Sequence, residues 1–145
     1  MSTNIDKDIL SLFELHKIRN TPVRKSVLHL FKEKGHALSQ PELEEYFKKD
    51  FDRVTIYRTL HAFMDKGLVH KVPSEDGVTR YALCMHNHHG SEPHVHEHIH
   101  FLCLACRKTF CIEMETVPKV DFPKGFKKEE LSFFAKGYCD ACSAD

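Results

Sequence analysis

Two pairs of cysteines have the spacing of metal ligands. Cys103 and Cys106 form one C-x-x-C pair, and Cys139 and Cys142 form the other. A two-residue spacer lets both thiolates of a pair reach one tetrahedral ion at about 2.3 Å, and two pairs complete a four-thiolate shell. A closed shell has no open coordination position, so these cysteines predict a structural zinc site. A redox dithiol switch is the alternative interpretation.

Histidines form a second group that could bind metal. Of the 12 histidines, seven crowd into one stretch: His86, His88, His89, His94, His96, His98 and His100. The last four alternate in sequence, so in a β-strand they would share one face and attract a transition metal. A solvated histidine-rich linker is the alternative, particularly for the first three.

Composition restricts the class of protein. The 145 residues are 41% hydrophobic and 29% charged, which is typical of a globular protein. Lys plus Arg and Asp plus Glu both number 21, so the whole chain offers no net attraction to nucleic acid or membrane. No apolar run approaches the roughly 20 residues of a membrane span, and Asp6, Lys7 and Asp8 stand where a signal peptide would be apolar. We therefore expect a cytoplasmic protein, where paired cysteines more often bind metal than form disulfides.

Helical periodicity and capping residues predict four helices in the first half of the chain: 8–18, 21–35, a short one after residue 39, and 53–66. Thr21 followed by Pro22 is a helix start, and Gly35 is a helix stop. Ser39 and Glu42 have the spacing of a capping box. The fourth helix has one apolar face, while its other positions are polar or aromatic: Thr55, Tyr57, Arg58, His61 and Asp65.

Short β-prone runs follow these helices. Residues 68–72 and 79–83 flank a turn-rich connector and predict a two-stranded wing. Helices closed by such a hairpin are typical of a winged helix-turn-helix DNA-binding domain, here residues 1–84. A polar hinge at 85–93 precedes strands at 98–104, 108–114 and 131–137, with room for one short helix at most before the last strand. The sequence thus predicts an α+β chain whose second domain, 94–145, is a small antiparallel sheet that needs zinc and a partner subunit.

An ordered set of motifs resembles the ferric uptake regulator family over about 15–142. The set comprises T-P-x-R at 21–24, V-T-I-Y-R-T-L at 54–60, G-L-V at 67–69, H-I-H-F-L-C-L-A-C at 98–106 and the final C-x-x-C. The resemblance implies a homodimeric, metal-responsive transcription factor that binds operator DNA. It also implies a C-terminal α/β dimerisation domain, a structural zinc and a regulatory metal at the hinge.

The resemblance also implies DNA contacts. By position, Tyr57 and Arg58 face the DNA together with Thr55, and Arg24 faces the phosphates. Tyrosine can contact a thymine methyl group, and arginine can bind phosphate or guanine. Partial burial of Tyr57 against the wing is the alternative.

The regulatory site departs from the pattern of iron sensors. Ala37 stands where they have a histidine, with His36 one place earlier, and Ala82 stands where they often have a carboxylate. Cys111 stands where they place another carboxylate, and Glu113 lies two residues further on.

Two other positions resemble the zinc-uptake regulators, in which the matching histidine and cysteine are sensor ligands. They are His70 and Cys84. Thiolate with imidazole favours zinc, or cuprous copper, over iron or manganese. Two histidines, His98 and His100, complete the predicted regulatory site. The alternate ligands are His96 and Cys111. A Cys111 buried as a small hydrophobic residue is the other interpretation of that position.

The functional prediction is a zinc-responsive regulator that represses metal-homeostasis genes. Metal at the hinge would fix the angle between the winged helices and the dimer core, so that both recognition helices fit successive major-groove half-sites. An iron- or peroxide-responsive regulator on the same scaffold is the first alternative. A metal-dependent hydrolase and a zinc buffer are alternatives of another class, but the hydrolase lacks a general base and the buffer has no need of the 53–66 helix.

Overall fold

The computed structural model describes residues 2–72, 76–83, 98–113, 118–129, 131 and 133–143. The chain divides into two compact units, Met1–His86 and Asn87–Asp145. We call them the N-terminal and the C-terminal unit and describe each separately.

The described residues of the N-terminal unit form four helices: α1 (Ser2–Leu15), α2 (Pro22–Lys34), α3 (Gln40–Tyr46) and α4 (Arg53–Asp65). Three of them match the predicted helices closely. The predicted start of the first helix at residue 8 is wrong, because α1 begins at Ser2. Its added turn carries Ile5, which packs against the core and continues the apolar face of the helix toward the N-terminus.

The predicted capping residues form the expected hydrogen bonds. The Arg24 N–H donates to Thr21 Oγ1 at 3.3 Å, and Gly35 ends α2 in the left-handed conformation at φ 70°. At α3 the capping box is complete. The Glu42 N–H donates to Ser39 Oγ at 3.2 Å, and the Ser39 N–H donates to the Glu42 carboxylate at 2.7 Å.

One hydrophobic core holds the helices of this unit together. All four helices and the three strands of the wing contribute buried residues. The fully buried large side chains are Ile9, Val27, Leu28, Leu43, Ile56, Leu60, Phe63, Leu68 and Val69. Two ion pairs at the edge join α1 to α2, Asp6 with Lys25 at 3.8 Å and Asp8 with Lys32 at 3.5 Å. The core therefore fixes α4 by its apolar face and leaves the opposite face exposed.

A small antiparallel sheet closes the N-terminal unit. Its strands are β1 (Leu38–Ser39), β2 (Val69–Val72) and β3 (Arg80–Leu83), in the order β1-β3-β2. The wing is therefore three-stranded, not two-stranded as predicted. The additional strand contains two residues, too few to show a periodicity, and its pairing with β3 depends on tertiary contact.

The C-terminal unit contains a second three-stranded sheet. Its strands are β4 (His98–Cys103), β5 (Thr109–Glu113) and β6 (Phe133–Gly137), in the order β5-β4-β6. β4 and β5 are antiparallel, as predicted, but β6 pairs with β4 in the parallel direction. The long connection between β5 and β6 permits this crossover, since parallel neighbours need about a dozen linking residues or more. Residues 118–129 of this connection contain no helix.

The register gives this sheet one apolar face. Cross-strand partners on that face are Ile99 with Ile112 and Phe133, and Phe101 with Phe110 and Ala135. The other face is mixed: His100 lies opposite Cys111 and Phe134, and Leu102 lies opposite Thr109 and Lys136.

The α+β fold class is confirmed, with the sheet of the C-terminal unit mixed and not wholly antiparallel. The predicted hinge, 85–93, lies outside the described residues. Within the described part of the chain, every helix is too short or too polar to cross a bilayer.

Candidate functional site

The four predicted structural ligands lie together in the C-terminal unit. Cys103 ends β4, Cys106 follows in the next turn, and the second pair follows β6: Cys139 and Cys142. Their Sγ atoms all lie within 4.8 Å of one another. The parallel pairing of β4 with β6 accounts for this arrangement, because it brings the carboxyl ends of both strands to the same edge of the sheet.

Two backbone features hold the first C-x-x-C turn in shape. The Arg107 N–H donates to the Cys103 carbonyl at 2.9 Å, and Arg107 itself has a positive φ of 63°. The Leu104 N–H donates to the Gly137 carbonyl at 2.7 Å, which ties this turn to the end of β6. The first C-x-x-C turn is thus positioned by its hydrogen bonds to the sheet.

The geometry fits a tetrahedral zinc ion. Zn–S bonds of about 2.3 Å in a tetrahedron separate neighbouring sulfur atoms by about 3.8 Å. The Sγ atoms of Cys106 and Cys139 are 3.9 Å apart. Cys103 is fully buried, and its Sγ accepts a hydrogen bond from the Cys139 N–H at 3.4 Å.

The surroundings of the cluster favour ionisation of one of its four thiols, that of Cys103. Backbone N–H groups, first that of Cys106 and then that of Cys139, lower the pKa of the Cys103 thiol to about 6. Hydrogen bonds with the side chains of Cys139 and then Cys103 raise the pKa of Cys142 to about 12. Four acids at one site cannot all ionise without a cation, which is the charge that zinc supplies.

A second pair of metal-binding side chains lies on the other face of the same sheet, the face that carries His100. A ring nitrogen of His100 and the Sγ of Cys111 lie within 4.8 Å of each other, across directly opposed positions of β4 and β5. His100 is only 4% exposed, and Cys111 is partly buried. The two residues together can offer one imidazole and one thiolate to a metal ion.

The other predicted regulatory ligands are placed as follows. His70 lies in the N-terminal unit, on β2 opposite Ala82, and is partly buried. The backbone of His98 lies in β4 opposite Glu113. Cys84 and His96 lie outside the described residues.

The helix α4 carries the predicted DNA-contacting residues. Tyr57 is 48% exposed and Arg58 is exposed, on the side of the helix away from its buried residues. Tyr57 is thus about half exposed, and its hydroxyl is close enough to Tyr81 of β3 to contribute to the raised pKa of Tyr81, after burial of that residue. The ring centroid of Tyr57 lies 4.1 Å from that of His61, one helical turn later, at an interplanar angle of 41°.

Thr55 has a structural role that its place in the motif did not reveal. Asp52 caps α4, and its carboxylate accepts a hydrogen bond from the Thr55 N–H at 2.7 Å. Hydrogen bonds from the Thr55 side chain and then its N–H lower the pKa of Asp52, and the nearby charge of Arg58 also contributes. Thr55 is partly buried, so it offers less surface to a ligand than Tyr57 or Arg58 does.

Arg24 lies in the first turn of α2. Its Nη1 donates to the Arg19 carbonyl at 3.1 Å, which fixes the guanidinium beside the N-terminal end of the helix. Sequence reasoning did not identify Arg53, whose side chain is 85% exposed in the first turn of α4 and donates to Glu44 at 3.2 Å. The sequence signal for Arg53 is its place in the first turn of the predicted 53–66 helix.

The chain resembles known proteins in sequence and in fold. The model of the "Ferric uptake regulator family" matches residues 16–130. The "Ferric uptake regulation protein" of Staphylococcus aureus is 26% identical over 98% of both chains, and that of Staphylococcus epidermidis is 27% identical over 83% of this chain and 80% of its own.

Solved structures agree on the fold. A zinc uptake regulator complexed with zinc and DNA has a TM-score of 0.68 at 22% identity, covering 97% of this chain and 94% of its own. The family match extends over most of the chain and includes the α4 motif and the first cysteine pair. The chain therefore belongs to the ferric uptake regulator family, whose members are metal-dependent transcription regulators and not enzymes, which removes the hydrolase alternative.

Proposed function

We propose that this protein is a zinc-responsive repressor that binds operator DNA as a homodimer and controls metal-homeostasis genes. The observation that carries the proposal is the pairing of His100 with Cys111 across β4 and β5. A thiolate beside an imidazole favours zinc, or cuprous copper, over iron and manganese. DNA is its partner, so the proposal also implies a cytoplasmic protein.

The four-cysteine cluster holds the structural zinc in this proposal. Its support is the donor set, the 3.9 Å separation of Cys106 and Cys139, and the pKa of Cys103 at about 6, which makes a thiolate available at neutral pH. The ion would fasten the ends of β4 and β6 and keep the strand that bears His100 in register.

The regulatory metal binds His100 and Cys111 in this proposal, and two of His70, Cys84 and His98 complete a four-coordinate shell, with His96 as an alternate ligand. Imidazole and thiolate ligands must lose their protons to bind a metal, so occupancy depends on free zinc and on pH. Occupancy would then make DNA binding metal-dependent.

The exposed side of α4 is the proposed DNA-reading surface. Arg58 and Tyr57 project from it, and Arg24 at the start of α2 would contact a phosphate. An arginine can bind guanine through two hydrogen bonds, and a tyrosine ring can pack on a thymine methyl group. Because the whole chain has no net charge, these local groups carry the attraction to DNA.

The apolar face of the β5-β4-β6 sheet is the proposed dimer contact. Phe101 lies near its centre, and Ile112 is 44% exposed within the single chain. Packing against a second copy would remove this surface from water. Light scattering of purified protein tests the idea: Phe101→Lys is expected to give a monomer, and a monomeric parent would contradict it.

One experiment separates the candidate functions. The untagged protein is incubated with random-sequence DNA in the presence of zinc, iron(II) or manganese, and the retained DNA is sequenced while bound metals are quantified. We expect a single enriched motif with zinc and about two zinc ions per chain. Enrichment only with iron(II), and one zinc plus one iron per chain, would support the iron-responsive alternative, which the curated relatives' names favour. Zinc binding without any enriched motif would indicate a zinc buffer.

A further inference from the structure

The contact between Tyr57 and His61 is the feature of α4 that the proposed DNA contacts do not use. The two residues are four positions apart, so their side chains lie on the same side of the helix. Their ring centroids are 4.1 Å apart and the planes are inclined at 41°, which is a tilted ring contact at close range. The buried residues of α4 are others: Ile56, Thr59, Leu60 and Phe63.

The Tyr57 side chain is exposed enough that its contact with His61 can affect its orientation. Tyr57 is 48% exposed, so the protein surrounds only part of its ring, and His61 is partly buried and lies one turn nearer the end of α4. A half-exposed tyrosine has more than one rotamer available. A neighbouring ring that packs against one of these rotamers raises its population, by roughly threefold to tenfold for a typical aromatic contact.

We propose that His61 is a positioning residue of the DNA interface, whose imidazole holds the Tyr57 ring where it packs on a thymine methyl group. The inference rests on the proposed function and deepens it, because it names a residue that sets sequence selectivity without needing to touch a base. Fixing the ring before binding lowers the conformational cost of binding. The gain in affinity occurs only where a thymine methyl group contacts the ring, so it contributes to sequence selectivity and not to sequence-independent DNA binding.

A phosphate contact by His61 is the competing role, and it predicts different behaviour. A phosphate contact would contribute equally at all sequences and would steepen the salt dependence of binding. A positioning contact leaves the salt dependence unchanged and survives replacement of the imidazole by another ring. His61→Phe keeps an aromatic ring without N–H groups, and His61→Ala removes the ring.

The test uses the full chain with zinc and the operator that the parent protein selects from random DNA. Affinity is measured for this operator and for copies in which single thymines are replaced by uracil, which removes only the C5 methyl group. We expect His61→Ala to bind the operator about three- to tenfold more weakly and to lose most of the parent's sensitivity to one uracil replacement. His61→Phe should behave like the parent. His29→Ala on α2 is the matched control and should also behave like the parent.

The free protein provides an independent measurement. The Tyr57 ring-proton NMR shifts should change in His61→Ala because the neighbouring ring current is lost, and the shifts of Tyr46, which packs on Phe47, should stay. Combining His61→Ala with Tyr57→Ala should cost no more affinity than Tyr57→Ala alone, since the first residue acts through the second. Additive losses, a parent-like His61→Ala, or a His61→Phe as weak as His61→Ala would each overturn the inference. A parent that selects no DNA sequence would instead refute the proposed function.

Discussion

Removal of the four-cysteine zinc site should unfold the C-terminal unit and spare the N-terminal unit. The perturbation is Cys139→Ser, which deletes one thiolate of the second pair. Among the described residues of the C-terminal unit, the buried apolar side chains are Leu102 and Cys103. Burying a leucine stabilises by roughly 2 kcal/mol, whereas a zinc ion bound at free zinc about 1,000 times its dissociation constant contributes about 4 kcal/mol. Zinc is therefore the larger contribution in this unit.

Hydrogen exchange followed by mass spectrometry measures the effect separately in each unit. At free zinc about 1,000 times the dissociation constant, the bound ion contributes about 4 kcal/mol, a factor of about 10³ in protection. We expect the amides of β4 and β6 to lose at least this factor in Cys139→Ser. The amides of α2 and α4 should keep theirs, because their core is separate.

Asp140→Asn is the matched control, since it changes the turn between Cys139 and Cys142 without removing a thiolate from the four-cysteine cluster. It should leave the protection of β4 and β6 close to that of the parent. Full protection of β4 in a Cys139→Ser protein shown to contain no zinc would refute the reasoning.

Three further predictions concern single groups. Arg24→Ala should weaken DNA binding and reduce the slope of log affinity against log salt by about one, because its guanidinium contacts a phosphate in the proposed complex; an unchanged slope in salt-dependent anisotropy titrations would contradict this. Thr55 lowers the pKa of Asp52. The contribution of this cap to the free energy of unfolding is therefore present above the ordinary pKa near 3.8 and is lost as pH falls through the lower pKa of the folded protein. Acid unfolding followed by circular dichroism should therefore lose this component in Asp52→Asn, which caps without titrating; an identical acid profile would argue against it. Zinc must displace the proton of Cys142 at neutral pH, and below about pH 6 it must also displace the proton of Cys103. The zinc affinity measured by chelator competition should therefore fall more steeply with decreasing pH below pH 6. A constant slope of log zinc affinity against pH from pH 5 to 8 would contradict this.

Local signals in the sequence predicted the elements of the fold well. Thr21 and Gly35 delimit α2, and Ser39 with Glu42 starts α3, because each residue acts through hydrogen bonds or dihedral angles within its own turn. Pairing that depends on distant segments was not predictable in the same way. β1 has two residues without a pattern of their own, and the parallel direction of β6 depends on the path of a long connection.

The same distinction applies to the candidate sites. The C-x-x-C spacing predicted ligands that the structure brings together, since the spacing itself fixes the reach of each pair. The opposition of His100 and Cys111 required the strand register, which single-residue patterns do not specify. The contact of His61 with Tyr57 follows helical spacing, but spacing alone does not show which exposed neighbours touch.

The most direct test of the account is the affinity of the protein for its selected operator, measured by fluorescence anisotropy with and without zinc at the regulatory ligands. The structural zinc is retained in both states. Allosteric coupling of the usual size predicts that regulatory zinc tightens binding about five- to 150-fold, and that His100→Ala abolishes the difference. Equal affinity in both states, or tightening by iron(II) and not by zinc, would contradict the central claim that this regulator responds to zinc.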